Sequence, residues 1–386
     1  MTEKQPALKA DDDLETYVSL FKMNAPSALT AAQRGVMHTM CNIEAAAKTG
    51  YAPVSVAALR EDASIHKLLD MMETCRPGGG VDEEAFITKY LVPYQPYRDD
   101  FGNHIIRVDA PDDAEDYPLI LWSCHTDTVH HHGGTQKVEV TNGVAWTSTG
   151  SCLGSDDTVG IWLALEMIDA KVPGVYVFHR EEESGGGGSS WLASKAGDFI
   201  GSFDAAIALD RAGYSDVITH QAGGRCCSDA FAKSVSGLLG GTFEPCDTGV
   251  FTDTANYTDL IGECTNLSVG YFKQHGRTEH TNLGFASRLR DALIAADWSQ
   301  LVLERKPGER DARDWSSLDW RYSSTSYRRP STKHYDYAAE EDEDPDLYAL
   351  NEFVSRYPWE VAKFLMANAV TVEDLEDHAW GESDER

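Results

Sequence analysis

The stretch FHREEESGGGGSSWL, Phe178 to Leu192, sets three adjacent glutamates between an apolar run and four glycines. Adjacent carboxylates repel one another, so a strand end carrying Glu181, Glu182 and Glu183 is unfavourable unless positive charge sits against it. The run before them, GVYVFHR (174–180), reads as a strand. Four neighbouring stretches have the same form, an element with a histidine or an acid at its end. PLILWSCH (118–125) is a strand that runs into His125 and Asp127. DTVGIWLALEMIDA (157–170) has apolar residues at helical spacing, with Asp156 just before it. FDAAIALD (203–210) is a strand ending on Asp210, and NLSVGYFK (266–273) is a strand followed by His275. HIIRVD (104–109) adds a strand, and FASRLRDALIAADWSQLVLE (285–304) a long helix. Apolar strands alternating with helices predict an α/β fold with a mixed, mostly parallel central sheet and helices on both faces.

Around this middle region the chain changes character. Residues 1–63 carry helical patterns and read as a helical N-terminal extension; 64–305 form the main domain. Residues 306–345 are polar, aromatic-rich and then acidic, a linker, and 346–386 read as a small helical C-terminal module. The 386 residues, 42% hydrophobic, are ample for a core, and the net charge is −30. Such a surface repels nucleic acid and anionic membranes, which excludes both as partners. No apolar run approaches the ~20 residues of a membrane helix, and the polar, acidic N-terminus is not a signal peptide. Eight cysteines without a Cys-x-x-Cys pair indicate reduced thiols, so a cytoplasmic protein is expected.

In an open α/β sheet the carboxyl ends of the strands form the ligand crevice. Five successive elements therefore deliver His125, Asp156, the glutamate run, Asp210 and His275 to one edge. Imidazole nitrogen and carboxylate oxygen suit zinc and similar divalent ions. One tetrahedral zinc needs three protein ligands and a water, so this inventory exceeds one ion and suits two that share a carboxylate. Two dications would also answer the repulsion among the glutamates.

These residues resemble the co-catalytic zinc peptidase clan, which includes peptidase T and glutamate carboxypeptidase type enzymes and single-domain bacterial aminopeptidases. The clan's order is His-x-Asp, Gly-x-Asp-Asp before a helix, Glu-Glu with small residues, Asp or Glu, then a late His. Here it is matched by His125-x-Asp127, Gly154-Ser155-Asp156-Asp157, Glu182-Glu183, Asp210 and His275. Upstream, LLDMMETCRPGGGVDEEAFITKYL resembles the clan's first helix pair, and DDFGN (99–103) its Asp-x-x-Gly-Asn turn. The resemblance covers roughly residues 64–305 and implies a zinc-exopeptidase, phosphorylase/hydrolase-like fold. Only 65 residues separate Asp210 from His275, too few for the inserted lid domain of the peptidase T type.

The resemblance implies two divalent ions, zinc first, with cobalt or manganese as alternatives. His125, Asp156 and Asp210 would hold one; Asp156, Glu183 and His275 the other, with Asp156 shared. Asp127 would orient His125, and Glu182 would be the general base. A pairing one residue earlier, Glu181-Glu182, is the competing register, and His280 competes with His275. His130, His131 and His132 read as a solvated loop beside the site, and Cys226 and Cys227 as buried inert thiols. Arg225 is a candidate for a substrate carboxylate, with a structural ion pair as its other reading. The expected function is an aminopeptidase or dipeptidase acting on small peptides. The alternatives are an N-acyl amino acid deacylase with the same site, and a non-catalytic metal-binding relative. An oligomer is compatible with every reading.

Overall fold

The computed structural model describes residues 54–111 and 117–309. These belong to the first of two units, 1–321; the second, 322–386, lies outside the described residues. The expected helices of 1–53, most of the linker and the C-terminal module therefore lie outside them as well.

An eight-stranded mixed sheet organises the domain. In chain order its strands are β1 (Tyr97–Arg98), β2 (His104–Val108), β3 (Ile120–His125), β4 (Gly174–His179), β5 (Ala205–Arg211), β6 (Asp216–Ile218), β7 (Glu244–Cys246) and β8 (Glu263–Ser268). Their spatial order is β7-β6-β8-β5-β3-β4-β2-β1. The four central strands, β8, β5, β3 and β4, run parallel, and both flanks turn antiparallel. Every residue of β3 and β4 is buried, because helices cover both faces of the sheet.

The helices are α1 (Val56–Glu61), α2 (Ala63–Met72), α3 (Val81–Tyr90), α4 (Ser155–Asp169), α5 (Gly187–Lys195), α6 (Gly197–Ile200), α7 (Asp229–Leu238) and α8 (Leu283–Ala295). Trp122 and Tyr176 face a core that includes Leu68 of α2, Phe86 of α3, Trp162 of α4, Phe231 of α7 and Leu289 of α8. Leu121, Val175 and Ala206 face the other layer, with Leu192 of α5, Ile200 of α6 and Tyr257. No inserted domain lies between Asp210 and His275; short strands, α7 and a 3-10 turn (Asp253–Tyr257) fill the interval.

Two expected boundaries differ. The run 266–273 forms two strands in different sheets, β8 and a later one (Tyr271–Phe272) that joins a separate four-stranded sheet. The chain turns at Gly270, where φ is +93° and a Cβ would stand 2.3 Å from the Phe285 ring, so only glycine fits. The first half of β8 escaped the reading because it is polar yet buried. Glu263 is fully buried and accepts from Ser228, Glu304 and Arg305, which satisfies its carboxylate. The helix expected to reach 304 stops at Ala295. Trp298 folds back, buries its ring edge-on against Trp122 at 4.8 Å and donates Nε1 to the Leu293 carbonyl.

Candidate active site

The carboxyl ends of β3, β4 and β5 converge with the start of α4 and the turn before His280. Asp156 lies between two imidazoles. Its Oδ1 is 3.0 Å from His125 Nε2, and its Oδ2 is 3.2 Å from His275 Nε2. Asp210 Oδ1 approaches His125 Nε2 at 3.7 Å, and Glu183 Oε1 approaches His275 Nε2 at 3.0 Å. Among the described residues, His125–Asp156–Asp210, Asp156–Glu183–His275 and His125–Glu182–Glu183 each bring ligand atoms within 4.8 Å of one another.

Asp127 stays outside these groups. Its Oδ1 lies 3.4 Å from His125 Nδ1, on the side of the ring away from Asp156, and its carbonyl lies 3.1 Å from the same nitrogen. The same carboxylate accepts the backbone N–H groups of Glu182 and Glu183, one through each oxygen at 3.2 Å. It thus holds the histidine and the glutamate turn in one frame. Glu181 takes φ +60° and faces solvent, so Glu182 and Glu183 are the two that enter the cluster.

The DDFGN turn explains how that loop keeps its shape. Asp99 Oδ1 accepts three successive backbone N–H groups, from Phe101, Gly102 and Asn103. Asn103 then reaches both ends of the glutamate loop. It accepts from Arg180 N–H at 3.0 Å and donates to the Gly188 carbonyl at 3.2 Å. At the α4 entrance, Gly154 adopts φ +70°, and a Cβ there would meet His130 Cε1 at 2.8 Å. Asp157 accepts from His125 N–H at 3.1 Å, tying the helix start to the end of β3.

Burial and mutual repulsion shape the charges. Burial pushes the Glu182 carboxyl well above the usual range, opposed by His125 and reinforced by Glu183 and Asp210. Burial and Asp156 push Asp210 up to about 7. Burial opposes ionisation of Asp156 too, but the hydrogen bonds and charges of His125 and His275 prevail and hold it well below the usual range. Glu183 Oε1 is buried and receives no hydrogen bond. When His275 is neutral with its proton on Nδ1, Nε2 presents a lone pair to two carboxylates, an arrangement that a cation relieves. A donor set of imidazole nitrogens and carboxylate oxygens with such an orphaned atom fits divalent metal.

Other expected residues lie elsewhere or differ. Arg225 pairs with Asp229 at 2.8 Å and donates to the Cys227 carbonyl, the ion pair that was its second reading. His130 is not a solvated loop residue: it is buried, against Thr128 Oγ1 at 2.8 Å and the Cys152 carbonyl at 3.1 Å, whereas His131 and His132 are exposed. His280 is buried and stacks on Phe272. Cys226 and Cys227 are buried free thiols. The sequence reading missed the hydroxyls of Tyr271 and Thr252, which donate to the two oxygens of Asp210 at 2.9 and 2.7 Å. No spacing rule marks them: Thr252 precedes the 3-10 turn and Tyr271 lies on the short strand after Gly270, 42 and 61 residues from Asp210.

No protein-family model matches the chain, and no curated protein does. Solved structures do. The aminopeptidase PepT of Bacillus cereus is 14% identical, with a TM-score of 0.52, over 61% of this chain and 97% of that one. The mixed α/β fold is shared with this peptidase. A tripeptidase from Staphylococcus aureus gives the same identity and TM-score, over 61% of this chain and 98% of its own. At 14% identity the likeness is one of fold, and it agrees with the dinuclear zinc peptidase clan that the motifs resemble. Among the described residues no helix is long and apolar enough to cross a membrane.

Proposed function

We propose that this chain is a metal-dependent exopeptidase, an aminopeptidase or dipeptidase that hydrolyses the peptide bond of small peptides. The observation that carries this reading is Asp156, whose two oxygens face His125 and His275 at 3.0 and 3.2 Å. A carboxylate so placed suits sharing between two divalent ions, zinc by preference, with cobalt or manganese as substitutes. His125, Asp156 and Asp210 would hold one ion, and Asp156, Glu183 and His275 the other. When bound, the ions would acidify a water and polarise the scissile carbonyl.

The chain's own residues do the remaining work. Glu182 would be the general base: its carboxylate takes a proton from the attacking water and passes it to the leaving amine. Asp127 keeps the His125 ring in place and fixes the Glu182 backbone, so one side chain aligns ligand and base. Tyr271 and Thr252 orient Asp210 through its two oxygens. The seven described cysteines are free, which supports a reducing, cytoplasmic setting.

The test is elemental analysis of chain purified without chelator, with cleavage of aminoacyl-nitroanilides, dipeptides and N-acyl amino acids measured alongside. Near two ions per chain with chelator-sensitive peptide cleavage is expected. Cleavage of acyl-amino acids alone would move the activity to deacylation. No uptake of zinc, cobalt or manganese would overturn the reading.

A further inference from the structure

Behind the acidic centre lies a buried cation that the chemistry above does not use. Arg76 is fully buried, with its guanidinium over the Phe86 ring at 4.2 Å. Nε donates to the Thr126 carbonyl at 2.7 Å. The backbone grips the same turn, since Arg76 N–H donates to Thr128 Oγ1 at 3.3 Å and its carbonyl accepts from Thr128 N–H at 3.0 Å. This turn joins His125 to Asp127. The terminal nitrogens Nη1 and Nη2 have no hydrogen-bond partner among the described residues.

Those two nitrogens are informative. Burying a charged group without full hydrogen bonding is strongly unfavourable. A glutamine would place an amide nitrogen where Nε lies and could bond Thr126 at much lower desolvation cost. What glutamine lacks is the charge. The surroundings explain why charge matters. Asp127 Oδ2 lies 3.2 Å from where a Cβ on Gly78, two residues along, would stand. Asp157 receives hydrogen bonds from the backbone N–H groups of His125 and Gly160. Glu83 is next to Thr126 but has its own cation, Arg180, at 2.7 Å. Burial pushes the Arg76 guanidinium down to about 10, and Asp157, Glu83 and Asp127 oppose that fall.

We propose that Arg76 is the built-in counter-charge of the acidic centre, offsetting the charge of Asp127 so that the His125–Thr128 turn takes its place before metal is loaded. The inference rests on the reading of the site as a metal centre. Arg76 is a positioning residue: it acts through that turn.

Three variants separate charge from hydrogen bonding. R76K keeps the charge without a donor at the Nε position, R76Q keeps that donor without the charge, and R76M keeps neither. Thermal midpoints of the full-length chain are measured after chelation and again after loading with Co2+. In the metal-free state, R76Q and R76M are expected to lose on the order of 10 °C, with R76K close to the unmodified chain. Loading should shrink the R76Q and R76M deficits, because the ions then supply positive charge, and the Co2+ absorption spectrum of loaded R76Q should match that of the unmodified chain. R76Q holding while R76K falls would assign the effect to the Thr126 bond and overturn the proposal. Deficits equal with and without metal would assign it to packing, with the same result. If the unmodified chain takes up no metal, the functional reading fails, and the metal-free ranking of the three variants still decides the role of Arg76.

Discussion

Glu279 Oε1 accepts the backbone N–H of Asp156 at 3.1 Å, while its Oε2 accepts that of Gly154 at 2.8 Å. One buried carboxylate thereby fixes the chain where Asp156 enters the cluster. Glu279→Ala removes both acceptors and leaves two N–H groups unpaired. Metal affinity and kcat/KM are expected to fall by roughly 10–100-fold, as for groups that hold a ligand in place. Titration of the chelated variant with zinc checks this.

Asp156→Ala is expected to reduce occupancy of both ions, since both histidines face this carboxylate. Asp210→Ala is expected to empty one. Elemental analysis distinguishes the two, and a single lost ion in Asp156→Ala would rule out a shared ligand.

Glu182→Gln keeps the shape of the side chain and removes its basicity. Turnover is expected to drop by about 10²–10⁴-fold, the usual worth of a general base. Metal content should be unchanged. Activity near that of the unmodified chain would remove Glu182 from the role.

Asn103→Ala frees both ends of the glutamate loop: the Arg180 N–H loses its acceptor, and the Gly188 carbonyl, in the first turn of α5, loses its side-chain donor. A loss of about 1–3 kcal/mol per unpaired buried group is expected. Thermal unfolding and kcat/KM should fall together, because the loop carries Glu182 and Glu183.

His104 is buried, and burial with the nearby Arg98 and Arg180 pushes its pKa from 6.5 down to about 4, against smaller pulls from Glu84 and Asp99. The unfolded chain takes up this proton near pH 6.5, whereas the folded chain resists until about pH 4. Stability from the neutral ring is therefore complete above pH 6.5 and is lost as pH falls through that window. Thermal midpoints from pH 7.5 to 4.5 should decline, and His104→Asn should flatten part of the slope. An unchanged slope would exclude His104 as a contributor.

Most of the residues that meet in the His/Asp/Glu cluster were legible because they follow an apolar, buried strand or stand at the head of a helix. Periodicity marks such ends, and an acid or histidine there stands out against the apolar run. The limits of β8 were not legible, because Glu263, Thr265 and Asn266 are polar yet buried. Their satisfaction depends on partners such as Ser228 and Arg305, far away in the chain. The stop of α8 depends in the same way on Trp298 meeting Trp122.

By itself, the sequence determined the α/β class, the order of the central elements and the set of acids and histidines at one sheet edge. Those follow from local periodicity and from where apolar runs end. Only the tertiary structure decided which glutamates turn inward, that Asp127 serves both His125 and the glutamate turn, and that Arg225 pairs with Asp229. It alone placed Tyr271, Thr252 and Arg76 around the centre and showed Glu279 holding the Gly154 and Asp156 N–H groups. Side-chain direction at a turn and contact between distant segments arise from packing in three dimensions, and no local pattern of residues encodes either.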